Sequence, residues 1–390
     1  MKFNLNQFLI SISFVLDYIE IDILDDITNH GKRVGYIALK MGEQFNMSSE
    51  DKFTLLAFAI MHVIGGVENE ARVSKTELEK AKNHCIIGEK SVEKFPFLNE
   101  YENVILYHHE NYDGSGFFAK KGKEIPIFSQ IISIADYFEL RYIDDIERHE
   151  LISKIRKQKS KKFSKEIVDK FLNITNNESF WLSLEDNFVL NAIKKESPNH
   201  SLDYSYQEIH KITALFSDIT DSKSNFTQLH SKKLSEKAEI MADHYGFNNQ
   251  KKCKFIIAAD LHDIGKLAIP NMILDKPSKL TKQEYRRVKA HSFYTRKALE
   301  TIDGLEDVAK WAGNHHEKND GSGYPYGLTE DQLDFPSQIL VALDIYQALK
   351  EERPYRNHMK HGEAMEILNR MAAEGKINLK VTRDIDRIFN

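Results

Sequence analysis

A chain of 390 residues is long for one all-helical core and suits two domains of about 200 residues each. Its net charge of -5 excludes the broad basic excess with which proteins bind nucleic-acid polymers, so any phosphate recognition has to be local. Two cysteines, Cys85 and Cys253, are too few for a disulfide framework, which points to a reducing, cytoplasmic setting.

The first apolar stretch, Phe8–Ile19, is too short to span a bilayer and is interrupted by Asp17, with Glu20 behind it. It has no basic leader followed by a small-residue cleavage site, so the pattern predicts an amphipathic core helix and no membrane span. Beyond it the apolar spacing is helical almost throughout, as in Val34, Ile37, Ala38 and Met41 or Leu234, Ala238 and Met241. Strand signals are scarce. The basic run Lys154–Lys165 reads as one solvated helix face that sends Ile155 and Phe163 into the core. The polar stretch Glu196–Ser205 marks the expected domain boundary, giving domains 1–195 and 196–390. Glycine and proline otherwise gather at two DGSG turns and at Ile269–Pro277. The expected fold class is all-α: two tandem helical domains, with ligands at helix ends and on facing helices.

One set of metal-ligating residue types occurs twice. The second half carries His230, His262-Asp263, His291, His315-His316 and Asp344; the first carries His30, His62, His84, His108-His109 and Asp136, with Val63 where Asp263 stands. His30 to His62 and His230 to His262 are both 32 residues apart, and His84 to His108 and His291 to His315 are both 24. The chain is therefore an internal duplication in which one copy has lost a carboxylate.

Imidazole and carboxylate together suit iron, manganese, zinc or nickel, whereas an all-oxygen set would suit magnesium or calcium. If Asp263 is shared between two ions, His230, His262 and Asp344 complete one, and His291, His315 and His316 the other. Two ions about 3.5–4 Å apart can activate water and clamp the attacking and leaving oxygens of a displacement at phosphorus. Lys266 lies one helical turn beyond Asp263, where an ammonium can neutralise charge on phosphate oxygens. A surface lysine in an ordinary ion pair is the bland alternative. Arg353 and Arg356 either fork onto a second phosphate or a guanine edge, or sit exposed at a helix end. Gly321 and Gly323 let the backbone turn tightly beneath Tyr324, whose ring either stacks on a base or packs in the core.

HDIGK (262–266), IPNMILDKPSKL (269–280), HHEKNDGSGYP (315–325) and RPYR (353–356) together resemble the HD-GYP subgroup of the HD phosphohydrolases, across roughly Phe226–Arg356. The resemblance implies a helical enzyme with a non-haem di- or tri-metal centre that hydrolyses bacterial cyclic dinucleotides. It implies the ligand set His230, His262, Asp263, His291, His315, His316 and Asp344. Asp263 and Lys266 become the catalytic residues, the lysine facing the scissile phosphate, and Asp320, Gly321, Tyr324, Arg353 and Arg356 join Lys266 in the substrate-contact set. Some members place a metal-holding glutamate four residues before the first histidine. Phe226 occupies that position, so two ions are expected, iron first, with manganese or nickel as alternatives.

The expected activity is hydrolysis of cyclic di-GMP to the linear dinucleotide and onward to GMP. 3'3'-cyclic GMP-AMP is the alternative substrate, and a non-catalytic sensor or scaffold the alternative role. In the first half Val63, Gly66 and Phe117-Phe118 replace Asp263, Lys266 and Tyr-Pro. That half is expected to hold at most one ion, to be non-catalytic, and to offer apolar faces for docking or a homodimer.

Overall fold

The structure, a computed structural model, describes residues 2–21, 29–67, 77–98, 100–144, 146–198, 201–224, 229–352 and 358–390. The chain divides into two compact units, one of Asn4–Leu202 and one of Met1–Phe3 with Asp203–Asn390. The first unit contains helices α1 (Leu5–Ile21), α2 (His30–Gln44), α3 (Ser49–Met61), α4 (Glu77–Val92), α5 (Ile127–Tyr142), α6 (Arg148–Lys157), α7 (Lys165–Thr175), α8 (Glu178–Ser183) and α9 (Val189–Glu196). In the second are α10 (Tyr206–Ser222), α11 (His230–His244), α12 (Asn249–Leu261), α13 (Asn271–Leu274), α14 (Lys282–Leu299), α15 (Glu306–Gly313), α16 (Phe335–Leu349), α17 (His361–Ala373) and α18 (Leu379–Phe389). Among the described residues, strand is confined to the short pair Lys2–Asn4 and Ser201–Asp203. The all-α expectation therefore holds.

Local sequence sets where these helices begin. Ser48, Ser205 and Thr281 each accept the backbone N–H three residues on, while Asp51, Glu208 and Glu284 reach back to the cap, closing capping boxes at α3, α10 and α14. The duplication is visible in the packing order. α2 packs on α3 and α5 as α11 packs on α12 and α16, and α4 lies on the 3-10 turn His62–Gly66 as α14 lies on the 3-10 turn Ile264–Ala268.

Two expectations need correction. α1 is buried on most sides, with Phe8, Leu9, Ile12, Val15 and Leu16 in the core, rather than amphipathic. Buried Asp17 is tolerated because Oδ1 accepts the N–H of Gly31 at 2.7 Å, in the unsatisfied first turn of α2. Asp221 serves α11 in the same way, accepting from Ser231 N at 3.0 Å and Ser231 Oγ at 2.9 Å. The basic run Lys154–Lys165 is not one helix. α6 ends at Lys157, the chain turns through Ser160 at φ 63°, and α7 starts at Lys165, although Ile155 and Phe163 are buried as expected. The units divide after Leu202, inside the polar stretch Glu196–Ser205, and α9 runs to Glu196 and packs against α2. Among the described residues no helix is long and apolar enough to cross a membrane.

Candidate metal centre

In the second unit the ligand-type residues come from five places. His230 opens α11, His262-Asp263 close α12, His291 lies in α14, His315-His316 follow α15, and Asp344 lies in α16. Leu229, just before His230, has φ 66°, and Asn29 before His30 has φ 64°. A leucine in the left-handed region is a strained outlier, and here it swings the chain into the helix that starts on the histidine. Gly265 fixes the approach of α14, because a Cβ there would overlap the carbonyl of His291. Thr295 closes the same crossing, its hydroxyl donating to His262 O at 2.9 Å and accepting from Gly265 N at 3.0 Å.

The imidazoles share one wiring rule. Nδ1 of His262, His291 and His315 bonds the carbonyl three residues back, of Ala259 at 2.8 Å, Val288 at 2.5 Å and Ala312 at 2.6 Å. A carbonyl only accepts, so each Nδ1 carries the proton and each Nε2 presents a bare lone pair inward. The carboxylate of Asp263 divides between them. Its Oδ2 lies 3.1 Å from His262 Nε2, while Oδ1 lies 3.3 Å from His291 Nε2 and 3.7 Å from His315 Nε2. Asp344 closes the other end, with Oδ1 3.2 Å from His230 Nε2 and 3.9 Å from His262 Nε2, and Oδ2 3.7 Å from His316 Nδ1. Three donor groups emerge: His230-His262-Asp344, His262-Asp263-His315 and His291-His315-His316, each with its ligand atoms within 4.8 Å of one another.

A metal ion fits this donor set. His291 and His315 face each other Nε2 to Nε2 at 3.1 Å, two acceptors with no proton of their own to share. His262 Nε2 and Asp263 Oδ1 are buried without a hydrogen-bond partner among the described residues. Burial pushes His291 down to about 3 and His316 to about 4, keeping both neutral and ready to ligate. His230 goes the other way: burial would lower it, yet Asp344 and Glu351 outweigh burial and push it up to about 10. Asp263 is likewise desolvated, but His262 and Lys266 hold it well below the usual carboxylate range. Asp263 and Asp344 thus stay anionic beside neutral imidazoles, a combination that favours a cation among them.

Glu351 is the functional residue that the sequence did not reveal. His230 Nδ1 lies 2.9 Å from its Oε2, and Gln347 Nε2 donates to its Oε1 at 2.6 Å. A carboxylate behind a ligating histidine fixes the ring and raises its basicity. Its only sequence signal is its place seven residues after Asp344, just beyond the end of α16. Glu351→Gln should leave the ligand count unchanged but weaken metal affinity by about 10–100-fold, read by titrating manganese into metal-free protein.

Lys266 lies in the 3-10 turn that follows Asp263 and pairs with Asp263 Oδ2, so its ammonium sits at the edge of the cluster. The glycine-rich loop is held from beneath by Glu317, which is fully buried and accepts from Tyr326 N at 2.7 Å and Leu328 N at 2.9 Å. Gly323 lies directly on the Glu317 backbone, where a Cβ would overlap it, and Gly321 has φ 74°. Tyr324 stands against His316, ring centroids 4.8 Å apart, with Lys289 Nζ 5.1 Å from its ring centre, so it walls the cluster. Asp320 is exposed and its Oδ1 accepts from Ser322 N at 3.0 Å and Ser322 Oγ at 2.7 Å, so it forms the turn of this loop. Arg353, Arg356 and Phe226 lie outside the described residues.

The first unit repeats the wiring without the centre. His62 Nδ1 bonds Ala59 O at 2.7 Å, His108 Nδ1 bonds Ile105 O at 2.5 Å, and Glu110 ties down Phe118 N at 2.9 Å and Lys120 N at 2.8 Å, as Glu317 does in its own loop. Gly65 meets the His84 carbonyl as Gly265 meets that of His291. Val63 is fully buried where Asp263 would stand, so His30-His62-Asp136 and His84-His108-His109 form two groups with no shared carboxylate.

The family model described as HD domain matches both halves, over residues 19–163 and 214–381. The 3'3'-cGAMP-specific phosphodiesterase 1 of Vibrio cholerae serotype O1 is 30% identical over 97% of this chain and 90% of its own length. A probable cyclic di-GMP phosphodiesterase of the same organism is 43% identical, but over 28% of this chain and 27% of its own. The crystal structure of a cyclic GMP-AMP-specific phosphodiesterase from V. cholerae matches with a TM-score of 0.71 at 23% identity, covering 98% of this chain and 97% of that one.

Proposed function

The chain belongs to the HD domain family, in its HD-GYP branch, and on that premise we propose that its second unit is a metal-dependent phosphodiesterase that opens a cyclic dinucleotide, 3'3'-cyclic GMP-AMP before cyclic di-GMP. The observation that carries the chemistry is Asp263, whose two oxygens face different imidazole sets. A carboxylate placed so is suited to bridge two divalent ions, with His230, His262 and Asp344 on one and His291, His315 and His316 on the other. Iron, one of the ions this donor set suits, is put first by the HD-GYP resemblance. When bound, such ions lower the pKa of water and draw off charge developing on the phosphate oxygens.

The chain's own residues do the rest. Glu351 holds His230 with Nε2 inward, and the carbonyls behind His262, His291 and His315 fix their tautomers, so the lone pairs are aimed before any ion arrives. Lys266, ion-paired to Asp263, offers its ammonium to a phosphate oxygen at the cluster's edge, where partial burial strengthens the attraction. Tyr324 walls the site beside His316, presenting an aromatic edge to the nucleotide.

Substrate preference rests on the relatives and reverses the order expected from the motifs. Those motifs serve ions and phosphates, which both cyclic dinucleotides share, whereas the cGAMP-specific relative is similar along both units. The test is kcat/KM for both substrates with anaerobically purified protein. 3'3'-cyclic GMP-AMP should be favoured by at least about tenfold, a discrimination of about 1.4 kcal/mol. Inverted values would return cyclic di-GMP to first place, and equal values would show an enzyme without preference.

A further inference from the structure

The first unit lacks counterparts of Asp263 and Lys266, yet it contains a donor group in which two buried ring nitrogens find no partner among the described residues. His84 comes from α4 and His108-His109 from the segment that faces it, with one ligand nitrogen from each within 4.8 Å of the others. His108 is fully buried, and its Nδ1 donates to Ile105 O, leaving Nε2 as a bare acceptor. Nε2 of His108 and Nε2 of His84 are both buried with no hydrogen-bond partner among the described residues. Two buried ring nitrogens without partners, one of them a bare acceptor, beside a third imidazole are costly unless a cation sits among them.

The unit's other group makes no such demand. His30 and His62 meet Nε2 to Nε2 at 3.2 Å, and His30 Nδ1 lies 2.7 Å from Glu139 Oε2. One extra proton shared by that pair and balanced by Glu139 satisfies it. With Val63 between the groups, no carboxylate couples them.

We propose that His84, His108 and His109 hold a single divalent transition ion that staples α4 to the 101–109 segment and takes no part in hydrolysis. Three neutral imidazoles with an open fourth position suit zinc, or cobalt as its spectroscopic substitute. The geometry is prepared in advance, because the Gly65 crossing sets the backbone of His84 and the Ile105 carbonyl sets the ring of His108.

The experiment compares the full chain with its His84→Ala/His109→Ala variant, each stripped and then reloaded with zinc, with metal counted by plasma mass spectrometry. The variant should carry one ion fewer per chain. Hydrolysis by the second unit should stay within about twofold of wild type, since those histidines belong to none of its donor groups. The cobalt-loaded pair should differ by the visible ligand-field bands of one site. If the alanine pair fails to fold by circular dichroism, His84→Gln keeps the bulk of the ring and removes the ligand. A folded variant with unchanged metal content, or no difference in the cobalt spectra, overturns the assignment.

Discussion

Asp263→Ala should remove metal and activity together, lowering hydrolysis by on the order of a thousandfold or more. The expectation follows from the place of its two oxygens. Oδ2 serves the His262 side and Oδ1 the His291 and His315 side, so the carboxylate stands between the two imidazole sets. Ions brought close without that shared anion repel each other in a buried site where screening is weak. Val63 in the first unit is the same substitution in kind, already made within this chain. Metal content and turnover should be read on one sample, since hydrolysis that survives loss of the metal would detach the chemistry from this centre.

Lys266→Ala should separate the two properties instead. Lys266 contributes charge and is no ligand, so metal content should stay near wild type while kcat falls by roughly a hundredfold or more, the usual cost of removing a preorganised group that meets developing charge. Its ion pair with Asp263 adds a second effect of the same sign, because removing the ammonium leaves a buried carboxylate with one partner fewer. Lys266→Arg restores the charge without the same reach, and partial recovery with it would identify the charge as the working element. Unchanged kinetics in Lys266→Ala would make the lysine a structural ion-pair partner only.

Much of this centre was legible because ligand chemistry restricts residue type. Histidines and aspartates recur at matched intervals where a shared donor geometry holds them, and that recurrence exposed both the duplication and the damaged copy. The helical class followed from apolar spacing, as at Val34, Ile37 and Met41, all buried. Spacing does not say what lies behind a ligand. Glu351 belongs to no repeated position, and in the first unit Glu139, three residues after Asp136, takes the matching role beside His30. The jobs of Asp320 and Glu317 were hidden for a related reason. In a turn the nearest backbone N–H groups decide which carboxylate is used, so the exposed Asp320 folds the loop locally while the buried Glu317 supports it. Base preference is the least legible property, since the recognisable motifs serve ions and phosphates.

The most direct measurement is turnover of 3'3'-cyclic GMP-AMP by the full chain, first stripped of metal by chelation under nitrogen and then given iron(II) in steps. Turnover should fall to background on stripping and return as the second unit takes up about two ions per chain. Undiminished hydrolysis by protein whose second unit holds no metal would contradict the assignment of the chemistry to this centre.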